Sequence, residues 1–179
     1  MAATYLTLAG FQRLNDELAH LWQTKRPHIV KALQTAAAEG DRSENAEYIY
    51  RKKELRETDR KIRQLEAGLS RAKVVRDNPK DQQRVFFGAE VTLMPAATEQ
   101  DSVEPRIHRL VGGLEARLEM GEISVDAPLA KQLLGRTLGD RLRLKGGEGQ
   151  NKTYEIVRIR YYNQTYRDAK NHASNPAES

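Results

Sequence analysis

The chain has 179 residues, 39% of them hydrophobic and 31% charged, with a formal net charge of +5 and a pI near 9.4. So much charge argues against one large core and for an extended, solvated element beside a small one, while the basic excess favours polyanionic partners. The lack of cysteine excludes disulfides, thiol catalysis and cysteine-ligated zinc and suits a cytoplasmic protein; no apolar run approaches the roughly 20 residues of a membrane span, and the Met1-Ala-Ala-Thr-Tyr-Leu6 start lacks the basic and apolar regions of a signal peptide.

Residues 8 to 38 read as helix. Phe11, Leu14, Leu18 and Leu21 follow the three-four spacing of a narrow apolar stripe. Pro27 interrupts it, and Ile29, Val30, Leu33, Ala36 and Ala37 resume on a shifted phase. A proline inside a helix kinks it, so two helical pieces or one bent helix both fit. Gly40 ends the run. A second helix is predicted from Ser43 to Val75, with Tyr48, Leu55, Ile62 and Leu69 at seven-residue spacing and Thr58, Leu65 and Ala72 between them. Two helices of about 30 residues joined by a short turn make an antiparallel hairpin, each arm about 45 Å long at 1.5 Å per residue.

Asp77-Asn78-Pro79-Lys80-Asp81 reads as a linker. Beyond it, residues 85–93, 106–111, 122–125, 141–144 and 153–161 are short β-prone runs. Residues 126–135 form a compact helix with Asp126 as its N-cap, an early Pro128 and a terminal Gly135. Gly146 to Asn151 is a hairpin turn, 94–105 a polar loop, and the tail after 162 is disordered by composition. The fold class is therefore α+β: a helical-hairpin (coiled-coil) domain over 1–77 with its tip at 40–45, a linker over 78–81, a small, mostly antiparallel β domain with one helix over 82–161, and a polar tail over 162–179.

The chemistry concentrates at the turn, Gly40-Asp41-Arg42-Ser43-Glu44-Asn45. As a capping box, Asp41 would cap the second helix and Glu44 would return a hydrogen bond three residues on. As a half-built metal site, the same pair would hold Mg²⁺, which commonly takes one or two carboxylates plus phosphate oxygens and waters. Two carboxylates are too few for a dedicated cage but enough to share an ion with acidic residues of another protein, where it would activate water for in-line attack on phosphorus. Spacing alone does not choose between them. On the second helix Arg51, Lys52, Lys53, Arg56, Arg60, Lys61 and Arg63 alternate with Glu54, Glu57 and Asp59. This is either a solvated face with pairs such as Glu57 with Lys61 or a phosphate-binding surface. His20, His28, His108 and His172 show no metal-ligand spacing, Trp22 reads as a packing residue, and Gly146-Gly-Glu-Gly149 is a turn, with no helix pattern after it to make a phosphate loop.

Gly40-Asp-Arg-Ser-Glu-Asn-Ala-Glu-Tyr48 resembles the tip motif of the Gre transcript-cleavage factors. Arg42, Ile49-Tyr-Arg-Lys-Lys-Glu-Leu-Arg56 and Trp22 with Arg26-Pro27 are similar to the GreB branch of that family, and Val85-Phe-Phe-Gly-Ala89 and Ile123-Ser-Val-Asp-Ala-Pro128 match its second domain. The likeness covers roughly residues 5 to 161; the 94–105 loop and the tail depart from it. It implies an FKBP-like second domain that docks at the rim of the bacterial RNA polymerase secondary channel, and a hairpin that enters the channel. Asp41 and Glu44 then help to hold a Mg²⁺ shared with the polymerase, no metal being bound by the free protein, and the polymerase hydrolyses backtracked RNA near its 3′ end. Ser43 would orient the tip, and Arg51, Lys52, Lys53, Arg56 and Arg60 would contact the RNA 3′ segment. The chain would be a monomeric, cytoplasmic accessory factor, not an enzyme. Three other readings stand beside this: a secondary-channel regulator without cleavage activity, a prolyl isomerase suggested only by the fold of the second domain, and a plain coiled-coil adaptor.

Overall fold

The computed structural model describes residues 4–38, 45–96, 104–145 and 151–162. They fall into two compact units, one of residues 11–72 and one that joins residues up to Gly10 with those from Lys73 onward.

The helical unit is built from α1 (Leu8–His20), a π-helical segment (Leu21–Lys25), α2 (Arg26–Ala38) and α3 (Ala46–Leu69). Its buried residues before the turn are Leu14, Leu21, Ile29 and Ala36. Their steps are seven, eight and seven residues, and the step of eight spans the π segment, where the Arg26 N–H reaches back five residues to the Leu21 carbonyl. That wider turn explains the shifted phase after Pro27. On α3 the seam is Thr58, Ile62 and Leu65, all buried, with Tyr48, Leu55 and Leu69 half-buried. The expected heptad is thus largely in place, but the helix is shorter than its pattern. It stops at Leu69, and Ala72–Val75 is a strand, β2, paired with β1 (Thr4–Thr7). Lys73 onward therefore groups with the sheet unit: the helical unit ends at residue 72, five residues before the end read at 77, and residues up to Gly10 also fall outside it. Val74 and Val75 are β-branched and prefer an extended, half-buried setting once a partner strand exists.

In the sheet unit the strands are β3 (Glu90–Pro95), β4 (Arg106–Val111), β5 (Glu122–Ser124), β6 (Arg141–Lys145) and β7 (Asn151–Arg160). They form one sheet in the order β5-β4-β3-β7-β6, antiparallel except for the β4–β5 pair. Val91 and Leu93 of β3, Leu110 of β4, Leu142 and Leu144 of β6, and Tyr154 and Ile156 of β7 point into one core. Ala130 and Leu133 of α4 (Pro128–Leu133) close over it. Each such leucine or isoleucine is worth about 1.5–3 kcal/mol of burial. A bulge in the β3–β7 register, between Thr92 and Leu93, leaves Val157 outward and exposed.

Two local expectations are corrected. The run over 85–93 is not one strand: β3 begins at Glu90, because Gly88 takes a positive φ of 86° and turns the chain. Val85 is still buried and exchanges backbone hydrogen bonds with the α4 exit, its N–H to the Arg136 carbonyl and its carbonyl from Gly135 N–H. The cap of α4 is Ala127, with no side-chain hydrogen bond, in place of Asp126. Pro128 takes the first helical position and forces the residue before it to be extended, which leaves Asp126 one residue too early. The turn at 146–150, most of the 94–105 loop and the tail from 163 lie outside the described residues. The β6–β7 register, Lys145 opposite Asn151, does make those strands a hairpin.

One polar cluster is buried in this unit. Glu115 accepts the N–H groups of Thr7 and Gly112 on one carboxylate oxygen (2.8 and 2.9 Å) and the Thr7 hydroxyl on the other (2.6 Å). The Thr7 hydroxyl in turn accepts from Gly10 N–H. Burial pushes the Glu115 carboxyl above its ordinary range; the hydrogen bonds from Thr7 and Gly112 act the other way without cancelling it.

Candidate functional site

The helical unit is an antiparallel hairpin, and its side-chain ties run in opposite directions along its helices. Asn45 meets Ala36, Arg26 meets Asp59 at 2.9 Å, and Trp22 donates its indole N–H to Glu66 at 3.1 Å. Lys61 pairs with Glu17 across the hairpin at 3.3 Å. The within-helix pair of Glu57 with Lys61 read from sequence is replaced by this longer-range one. Arg26 also stacks on Trp22 at 5.4 Å. Trp22 is 45% exposed and so lies outside the core, contrary to its reading as a packing residue. There its indole N–H and ring face are taken up by Glu66 and Arg26, the setting that an aromatic with a polar edge tolerates.

Residues 39–44 lie outside the described residues, and with them Asp41, Ser43 and Glu44. What the structure does describe is where α3 begins. Its N-cap is Asn45, whose backbone is extended and whose Oδ1 accepts the Tyr48 N–H at 3.0 Å. The capping box proposed for Asp41 and Glu44 therefore does not start this helix. Asparagine is among the best N-cap residues, and the signal was present in the sequence; the D-x-x-E pair just before it matched the capping pattern equally well. Asn45 also donates from Nδ2 to the Ala36 carbonyl at 2.8 Å, in the last turn of α2.

The basic face is uneven. Arg51 is held between Glu47 (2.8 Å) and Glu54 (3.0 Å) and lies over Tyr50 at 5.3 Å. Hydrogen bonds to Glu54 and then Glu47 raise its guanidinium pKa further, so its charge is permanent but already shared. Lys52 sits over the Tyr48 ring at 5.7 Å. Lys53 is exposed, and its distance of 4.0 Å from Glu57 makes a weak pair. Arg56 and Arg60 are exposed and make no ion pair among the described residues. They lie one turn apart on the same face.

No group of three or more His, Asp or Glu side chains able to hold a metal ion occurs among the described residues. His108 is half-buried on β4, and burial first and Arg106 second lower its pKa, which disfavours the charged ring. Among the described residues no helix is long and apolar enough to cross a membrane.

Comparison with known proteins covers nearly all the described chain. Residues 4–74 match the family model for "Transcription elongation factor, N-terminal", and residues 79–161 match that for "Transcription elongation factor, GreA/GreB, C-term". The chain is 43% identical over 159 residues to transcription elongation factor GreB of Yersinia pestis, covering 89% of this chain and 90% of the relative. It is 44% identical over 156 residues to GreB of Pseudomonas aeruginosa, covering 87% and 89%. A GreA of Paracoccus denitrificans is 38% identical over 156 residues, covering 87% and 96%. With both of its parts matched and these relatives covered almost end to end, the chain belongs to the GreA/GreB family of transcription elongation factors.

Proposed function

We propose that this chain enters the secondary channel of a stalled bacterial RNA polymerase with its helical hairpin and stimulates hydrolysis of the backtracked RNA near its 3′ end. Asp41 and Glu44 carry the chemistry from the tip, and the sheet unit supplies docking at the channel rim. The observation that supports this best is the cap of α3: Asn45 starts the helix, so the D-x-x-E pair is not needed there. The donor set also fits the ion. Two carboxylates are hard oxygen ligands suited to Mg²⁺ and too few to hold it alone. Mg²⁺ held jointly with the polymerase would supply activation of the attacking water and neutralisation of the developing charge. Asp41 and Glu44 place negative oxygen ligands at the tip, Ser43 orients them, and the chain itself remains an accessory rather than an enzyme. The test is cleavage in a purified backtracked complex with and without the protein. Acceleration supports the proposal; binding without acceleration would make the chain a non-cleaving regulator of the same channel.

The basic face supports an interaction with the RNA 3′ segment that is carried unequally. Arg56→Ala with Arg60→Ala is expected to weaken crosslinking to that segment and to lower cleavage regardless of RNA sequence, because phosphates carry no base identity. Removing one arginine–phosphate pair should reduce the log–log salt slope of binding by about 0.7. Arg51→Ala should do less, since Glu47 and Glu54 already neutralise that guanidinium. Equal effects at Arg51 and at the Arg56–Arg60 pair would mean that the two carboxylates release Arg51 on binding.

A further inference from the structure

The hydrogen bonds of Asn45 exceed what starting a helix requires. An N-cap needs only an acceptor, and Oδ1 provides it to the Tyr48 N–H at 3.0 Å. Nδ2 does something separate: it donates at 2.8 Å to the carbonyl of Ala36, which is 2% exposed. Ala36 lies in the last turn of α2, the part of a helix where carbonyls run out of intrahelical donors. One amide thus bonds a carbonyl at the end of the incoming helix and an N–H at the start of the outgoing one. It fastens together the two ends of the segment that carries Asp41 and Glu44.

We infer that Asn45 is a positioning residue for the acidic pair: its bridge from Tyr48 N–H to the Ala36 carbonyl fixes the two anchor points of the tip. This rests on the function proposed above. Among the good cap residues only asparagine can make both bonds here. Aspartate caps as well but has no hydrogen to give, and its charge would face a carbonyl at a helix C-terminus. Serine caps as well and has one hydrogen to give, but its hydroxyl is a bond shorter than the amide and does not reach both partners from the cap position.

Asn45→Asp and Asn45→Ser therefore separate the bridge from the cap. In both, α3 helicity by circular dichroism and the concentration for half-maximal stimulation should stay at parent values. The cleavage rate at saturating protein should fall on the order of tenfold, as expected when reacting groups lose their alignment. The Mg²⁺ concentration for half-maximal cleavage should rise, which a merely structural loss would not produce. Asn45→Ala, which removes both bonds, should lose more. The second measurement does not depend on cleavage. The chain has no cysteine, so spin labels can be placed at Gln34→Cys and Ile49→Cys, two exposed positions on α2 and α3. Their distance distribution should broaden in Asn45→Asp and Asn45→Ser. Parent-like saturated cleavage or an unchanged distribution in these two variants overturns the inference. A parent protein that stimulates no cleavage would instead sink the proposed function, and the distance distributions would then decide on their own whether Asn45 holds the tip's anchor points.

Discussion

Asp41→Ala and Glu44→Ala are each expected to lower stimulated RNA cleavage by roughly 100-fold, about 3 kcal/mol of barrier, while binding to the polymerase changes little. A ligand removed from a shared ion takes away charge stabilisation where the reaction needs it, while the proposed docking surface is the sheet unit. The structure makes this test cleaner. Because Asn45 caps α3, neither substitution removes that cap, which would be worth about 1 kcal/mol. The helicity of both variants should match the parent. Asp41→Asn should fail as badly as Asp41→Ala, since a neutral amide is a poor ligand for a hard cation. Retained cleavage in both alanine variants would return the tip acids to a role in solubility or local charge.

The largest effect on stability is expected at Gly10. It lies in the first turn of α1, where alanine would ordinarily be better than glycine by about 1 kcal/mol. Here the gain is reversed. A Cβ at Gly10 would fall 1.4 Å from the Glu115 Oε2 and 3.0 Å from the Thr7 hydroxyl, so Gly10→Ala must displace a buried carboxylate from its partners. Glu115→Ala leaves the N–H groups of Thr7 and Gly112 buried without an acceptor, at about 1–3 kcal/mol each. Both single variants should lower the denaturation midpoint by several degrees. The double variant should be less damaging than the sum, because deleting the carboxylate vacates the space the new methyl needs. Additive losses would mean that Gly10 and Glu115 act separately.

The same carboxyl gives the stability a sign with pH. Its folded pKa lies above the unfolded one, so the folded state holds the proton more tightly. That contribution is present in full below the ordinary carboxylate range and is lost as pH rises through the raised folded value. Glu115→Gln cannot ionise. Its stability relative to the parent should therefore improve as pH rises across that window, when both are measured by chemical denaturation.

Much of this architecture was legible in the sequence, and the parts that were not have physical causes. The heptad of α3 and the alternation in β3, β6 and β7 are periodic signals that do not depend on distant partners. The pairing of Thr4–Thr7 with Ala72–Val75 does depend on one: four residues at either end of a long excursion carry no local mark of each other. The Glu115 cluster was missed for the same reason, as its hydrogen bond with Thr7 spans 108 residues. At the tip the difficulty was different. Asp41 and Asn45 both offered good cap chemistry within one turn, and only backbone geometry separates them. The uneven basic face was hidden because composition counts Arg51 and Arg56 alike, although one is clamped by two carboxylates and the other is open.

The π segment shows how a chain can carry an insertion inside a helix without passing it on. One added residue in a plain α-helix rotates everything beyond it by about 100°, and here that would have turned Ile29 and Ala36 away from the seam that Leu14 and Leu21 begin. The wide turn at Leu21–Lys25 confines the surplus to a single bulge. Removing one residue there, at Gln23, would space the four buried positions evenly by sevens. It would also leave Pro27 inside an unbroken α-helix, where its ring meets the carbonyl four residues back. The shortened helix should therefore be tolerated only together with Pro27→Ala, so the surplus residue can be lost only with the proline or after it.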